Sequence, residues 1–235
     1  MTVITGDIHG GRGFLRLAPD NIVPHGLPLP TEVIVLGDFG LIWNAYPDAQ
    51  EREWTDYLDS LPYSILSLLG NHENFERIYS LPIETRYDGP VYRASRNVAF
   101  LKHGHSYNIG SRSYFVFGGA ASIDKKYRTE GESWWPEEIP TEADYQQALK
   151  TIAKHNGKFD YILTHTAPTA VFHQFLTETH KHDYGFKDPT QDMLDILESK
   201  LIFKEWYFGH FHDNHIIIKD GKNFRMLFEE NLIIQ

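Results

Sequence analysis

Along this chain, short apolar runs end at a glycine or a polar residue and pass at once into polar side chains. TVITGDIHG, EVIVLGDFG, SILSLLGNHE, YFVFGGAAS, DYILTHTAP and WYFGHFHDNH all follow that grammar. Near-continuous apolar runs of this length, rich in β-branched and aromatic residues, predict strands buried on both faces, each with a loop at its C-terminal end. Helical patterns lie between several of them. DAQEREWTDYLDSL has Asp48 as its N-cap, TEADYQQALKTIAKHNG opens at Thr141 and closes at Gly157, and PTQDMLDILESKL is a third. Residues 91–117 lack a helical pattern and predict a strand meander, and HIIIKDGKNFRMLF predicts a hairpin turning at Asp220-Gly221. The fold class expected is α/β, with a second sheet that is largely antiparallel.

Composition narrows the picture. With 235 residues and 41% hydrophobic content, the chain can bury a sizeable core, and a single domain over residues 1–235 is expected. Lys and Arg number 22 against 32 Asp and Glu, a net charge of -10, which speaks against a general grip on long nucleic acid. The absence of cysteine excludes disulfides, thiolate metal sites and a cysteine nucleophile. MTVITGDIHGG has no basic segment followed by an apolar one, and no apolar run approaches the ~20 residues of a membrane span, so a cytoplasmic protein without a membrane partner is expected. APDNIVPHGLPLP reads as a connecting loop.

Thirteen histidines are the unusual feature, and several stand at the strand tips. The tips carry Asp7 and His9, Asp38, Asn71 and His72, His165, and His210 and His212; only YFVFGGAAS delivers no such group. Binding groups of open α/β sheets collect at these carboxyl ends. Asp7 and His9, like His210 and His212, are two apart, so in extended chain they project to one side. Glycines 6, 37, 70 and 209 suit close approach of backbone to a bound group. Nitrogen and oxygen donors without sulfur suit Mn, Fe, Zn or Ni rather than Ca. The donors are too many for one ion. Two ions ~3.5–4 Å apart sharing a carboxylate is the economical arrangement, and it belongs to phosphoester hydrolysis.

The ordered blocks GDIHG, GDFG, GNHE, THTAP and GHFHDNH resemble the calcineurin-like metallophosphoesterase superfamily, over most of the chain from Asp7 to His212. The resemblance implies a four-layer α/β/β/α sandwich of two mixed sheets flanked by helices. It implies two divalent ions, manganese first, with Asp7, His9 and His212 on one, Asn71, His165 and His210 on the other, and Asp38 bridging. His72 is then left to protonate the leaving oxygen while a metal-activated water attacks in line.

The second block departs from the serine/threonine phosphatase branch, whose further Asp and Arg are replaced here by Leu41 and Ile42. Glu73 is expected to support its loop, and Arg77 is read as a helix-surface residue, with anion binding as the alternative. Arg128 is the candidate substrate-binding residue. Trp134 and Trp135 beside it either pack a loop or form a stacking platform, with Lys125 or Lys126 adding charge. The remaining histidines, HGH at 103–105 and HKHD at 180–183 included, read as loop and hairpin residues. Phosphomonoesterase activity on a phosphorylated small molecule, nucleotide or phosphoprotein is the first expectation. A phosphodiesterase or nuclease is the second, and a non-catalytic scaffold ranks last because no ligand is lost.

Overall fold

The computed structural model describes residues 1–234 and builds two mixed sheets packed face to face. The first sheet starts from β1 (Thr2–Thr5), β2 (Glu32–Val35) and β3 (Ser64–Ser67), paired in parallel in that order. It continues through β4 (Ile83–Arg86), β5 (Gly89–Arg93) and β6 (Val98–Leu101), with β6 parallel to β3 and β5 and β4 antiparallel beyond it. The second sheet contains β7 (His105–Ile109), β8 (Arg112–Phe117), β9 (Tyr161–Thr164), β10 (Glu205–Phe208), β11 (His215–Lys219) and β12 (Lys222–Met226). The last strand, β13 (Asn231–Ile234), returns to the free edge of β1 and pairs antiparallel.

Side chains alternate across each strand, so one strand feeds two cores. Ile4, Ile34 and Leu66 point between the sheets, where they meet Tyr114, Val116, Leu163 and Tyr207 from the facing sheet. Their neighbours Val3, Val33, Val35 and Ile65 point outward. There they meet a layer made by α1 (Pro19–Ile22), α2 (Ala49–Ser60), α3 (Phe75–Tyr79) and the 3₁₀ turn Gly11–Leu17, through Ile22, Leu58, Ile78 and Phe14. On the far side, Phe115, Ile162, Trp206 and Phe224 meet α4 (Glu142–Lys154), α5 (Thr169–Thr179) and α6 (Pro189–Glu198). The four layers are therefore α/β/β/α. Among the described residues, no helix is long and apolar enough to cross a membrane.

All six apolar runs are strands, and the helix starts match the expected caps. Asp48 accepts from the Glu51 amide, and Thr141 forms a reciprocal capping box with Asp144. The Asp220-Gly221 turn has φ of 52° and 75°, the backbone of a tight hairpin. Two expectations need correction. Residues 91–117 are not one meander: β5 and β6 join the first sheet, β7 and β8 the second. Nor is the second sheet largely antiparallel, since β8–β9, β9–β10 and β10–β12 are parallel pairs. The helix α4 crosses over from β8 to β9, and α5 and α6 from β9 to β10, which imposes the parallel sense there; β12 becomes parallel to β10 because it returns antiparallel from β11.

Candidate metal centre

Because the central strands of both sheets run in register, their carboxyl ends open on one rim. The loops after β1, β2, β3, β9 and β10 meet there, and the missing side chains of glycines make room for the ligands. A Cβ on Gly70 would sit 2.0 Å from Asp38 Oδ1, and one on Gly209 would sit 2.2 Å from Asp7 Oδ1. The backbone is strained here as well. His9, Asp38, His210 and His212 all have positive φ, between 49° and 68°. Such conformations cost non-glycine residues on the order of 1–3 kcal/mol each and cluster at functional sites.

Two donor groups result. Asp7, His9 and His212 form one, with Asp7 buried and both histidines exposed at the mouth. Asp38, His165 and His210 form the other, the first two buried. Within each group the donor atoms lie within 4.8 Å of one another. His9 Nε2 stands 2.8 Å from His212 Nε2, and Asp7 Oδ2 is 3.8 and 3.3 Å from those two nitrogens. Asp7 is itself held by the His210 amide, which reaches both of its carboxylate oxygens at 3.1 and 3.2 Å. Arg16 Nη1 donates to the Asp7 carbonyl at 2.6 Å, a support that the sequence did not reveal.

In the second group the chemistry of the donors calls for a cation. His165 Nδ1–H donates to the Leu36 carbonyl at 2.7 Å, so its Nε2 lone pair is the group turned inward. It faces Asn71 Oδ1 at 3.0 Å and Asp38 Oδ1 at 3.3 Å, both acceptors. Acceptors converging in this way repel one another unless a cation or proton lies between them. Burial opposes charge on His165, yet Asp38 raises it to about 9, a proton serving where a cation would. Burial likewise works against charge on Asp38, but His165 and His72 hold it well below the usual carboxylate range. Asp38 Oδ1 also accepts the amides of Asn71 and His72, each at 2.8 Å. The donor set thus fits two borderline divalent ions.

Asn71 is oriented from behind. Its Nδ2 donates to Ser122 Oγ at 3.0 Å, and Ser122 donates onward to buried Glu138 at 2.5 Å. This fixes Oδ1 as the inward atom. YFVFGGAAS, the tip that carries no candidate ligand of its own, therefore supplies the support for a neighbour's candidate ligand.

His72 lies between the two donor groups and the solvent. Its Nε2 is 3.9 Å from Asp38 Oδ2 and 3.4 Å from Arg128 Nη2. Burial lowers its pKa, with Asp38 pulling the other way. Its ring sits between His9 and Trp43, at centroid distances of 5.6 and 6.2 Å. Leu41 and Ile42, at the positions of the missing Asp and Arg, are buried in the first-sheet core. Glu73 is fully buried and accepts the Phe39 amide at 2.8 Å, so it ties the third tip to the second.

Arg128 is steered to this place by Asp124, which accepts from its Nε at 2.7 Å, and by the Ser133 carbonyl at 3.0 Å. Arg77 stays away, bound by both guanidinium nitrogens to Glu51 at 2.6 Å. The tryptophans resolve to the packing alternative. Trp134 and Trp135 are only 8% and 4% exposed, and Trp135 meets Trp43 edge to face at 5.6 Å. Lys125 lies 3.9 Å over the Trp134 ring. His103 is buried, whereas His182 and Asp183 stand in a pocket beside the centre, a placement the sequence reading did not foresee.

No match is found among curated proteins. The family model for calcineurin-like phosphoesterases, however, matches residues 2–214, a span that takes in every tip described above. With that span covering most of its length, the chain belongs to the calcineurin-like phosphoesterases, metal-dependent hydrolases of phosphate esters.

Proposed function

We propose that the chain is a phosphomonoesterase that removes a terminal phosphoryl group from a small phosphorylated metabolite, a nucleotide or a phosphoprotein. In this reading Asp7, His9 and His212 hold one divalent ion, Asn71, His165 and His210 the other, and Asp38 bridges, with manganese the first choice. The observation that supports it best is the Arg128 guanidinium 3.4 Å from His72, a fixed cation beyond the donor groups that suits a dianionic phosphoryl group.

Bound ions of this kind supply an activated water and neutralise charge in an in-line displacement. The chain's own residues do the rest. Arg128, oriented by Asp124, holds phosphoryl oxygens in line. His72 presents Nε2 toward the same space and passes a proton to the leaving oxygen. Asp38, with two backbone amides on one oxygen, is held in the orientation in which it would reach both ions.

One observation favours diester hydrolysis as the second reading. A cleft of about 380 Å³ lined by Phe14, Trp43 and Trp54 meets His72 from the side of α2, and offers room for a second ester group. Metal-loaded protein assayed on para-nitrophenyl phosphate and its bis ester separates the two. A kcat/KM at least tenfold higher on the monoester, lost in Arg128→Ala, is expected. The reverse preference supports the diesterase, and hydrolysis of neither supports a scaffold.

A further inference from the structure

We propose that the pocket on the other side of His72 is a subsite for the organic part of the substrate, and that it takes an uncharged apolar or aryl group and rejects a second anion. This deepens the phosphoesterase reading and rests on it. The pocket, about 350 Å³, opens directly onto Asp38, Asn71, His72, His210 and His212, so a group esterified to phosphate at the centre projects into it. Its size falls in the range of small-molecule sites, ~300–1,000 Å³.

Its walls are apolar. Phe172 of α5 and Phe211, which lies between two candidate ligands, stack at 4.7 Å and 17°. Ile123, Tyr184 and Phe186 face them across the pocket, 63%, 80% and 41% exposed. A folded chain rarely leaves such side chains together in water beside a catalytic centre unless a ligand covers them. The charged lining has one sign. Asp124, Asp183 and Asp188 line the pocket, and among the described residues no Lys or Arg does. Asp124 accepts from Arg128, and Asp188 caps α6 by accepting the Thr190 amide, so both carboxylates are already engaged within the chain. Arg128 is already paired with Asp124, so a second phosphate or a carboxylate would meet Asp183 and Asp188 with no uncommitted Lys or Arg in the lining to offset them. The predicted substrate is therefore a phosphate ester of a neutral, ring-bearing or aliphatic alcohol, rather than a bisphosphate or a polyphosphate chain running this way.

The test uses non-hydrolysable phosphonates on the Mn-loaded full-length chain, with binding measured by calorimetry. Naphthylmethylphosphonate should bind ~10 to 100-fold more tightly than methylphosphonate, the gain expected from burying an aromatic group. Its carboxylated analogue should lose that gain. Phe172→Ala should cut the gain at least fivefold, and so should Ile123→Ser, an exposed position that keeps the test open if the first variant fails to fold. Equal binding of the naphthyl and methyl ligands, or a gain untouched by Ile123→Ser, overturns the subsite. Hydrolysis of ethyl phosphate without any apolar preference overturns the subsite and spares the monoesterase reading. An apolar preference without hydrolysis of any monoester spares the subsite and removes that reading.

Discussion

Asn71 Nδ2 donates to Ser122 Oγ at 3.0 Å, across 51 residues of chain, and so turns Asn71 Oδ1 toward His165. Without that bond the amide can flip and present a donor where an acceptor is needed. Ser122→Ala and Glu138→Gln should each weaken the affinity of one ion by ~10 to 100-fold, the usual effect of losing a partner behind a ligand. The other ion should bind as before. Mn titration followed by electron paramagnetic resonance checks this, and equal weakening at both sites would refute it.

Gly70 and Asp38 cannot both keep their places if the glycine gains a methyl group, because its Cβ would lie 2.0 Å from Asp38 Oδ1 and 2.3 Å from the Asp38 amide. Asp38 is the shared ligand in this account. Gly70→Ala should therefore lower the affinity for both ions and reduce kcat at least a hundredfold, while far-ultraviolet circular dichroism remains that of the native chain. Full metal content in the folded variant would show that the tips have more slack than the geometry allows.

The acid role proposed for His72 has its own signature. His72→Ala should lose ~10² to 10⁴ in kcat on alkyl phosphates, the usual contribution of a general acid. On nitrophenyl phosphate the loss should be far smaller, because that oxygen departs without a proton. Equal losses on the two substrates would assign His72 to phosphate binding instead.

Stability should also report on buried His103, whose Nδ1 accepts the Gly118 amide at 3.1 Å. Burial lowers its pKa to about 4, with Lys102 and His105 adding to the effect and Asp144 opposing it. The folded chain thus keeps this histidine neutral while the unfolded chain protonates it near 6.5. Above that value it contributes no pH dependence. Between about pH 6.5 and 4 it should cost the wild type up to ~1.4 kcal/mol per pH unit, and below 4 no more. Urea unfolding of wild type and His103→Gln should show curves that diverge in that window, and parallel curves would contradict the assignment.

What was legible in the sequence follows physical range. The six strands and their tips could be read because a buried parallel strand must be continuously apolar and its polar cargo must follow at once, a local signal. Helix α5 was missed because TAVFHQFLTET has no side-chain cap and begins after Pro168, with aromatic and β-branched residues that also suit strands. The division of residues 91–117 between sheets depends on partners far along the chain, which periodicity cannot name. The same holds for the tryptophans. Trp135 packs on Trp43, some ninety residues earlier, a partner the local sequence could not name, so packing and a stacking platform stayed equally open. Ser122 and Glu138 left a fainter trace: a strand tip without a candidate ligand, in a chain where every comparable tip had one.

The dinuclear centre is the claim on which the rest depends, and counting the metal tests it most directly. Chain stripped with chelator, reconstituted with Mn and freed of excess should carry two ions per polypeptide by elemental analysis. Asp38→Asn should reduce that number by weakening both sites together, since Asp38 alone is assigned to both. One ion or none in the wild type, or an Asp38→Asn protein that still holds two, would contradict the account.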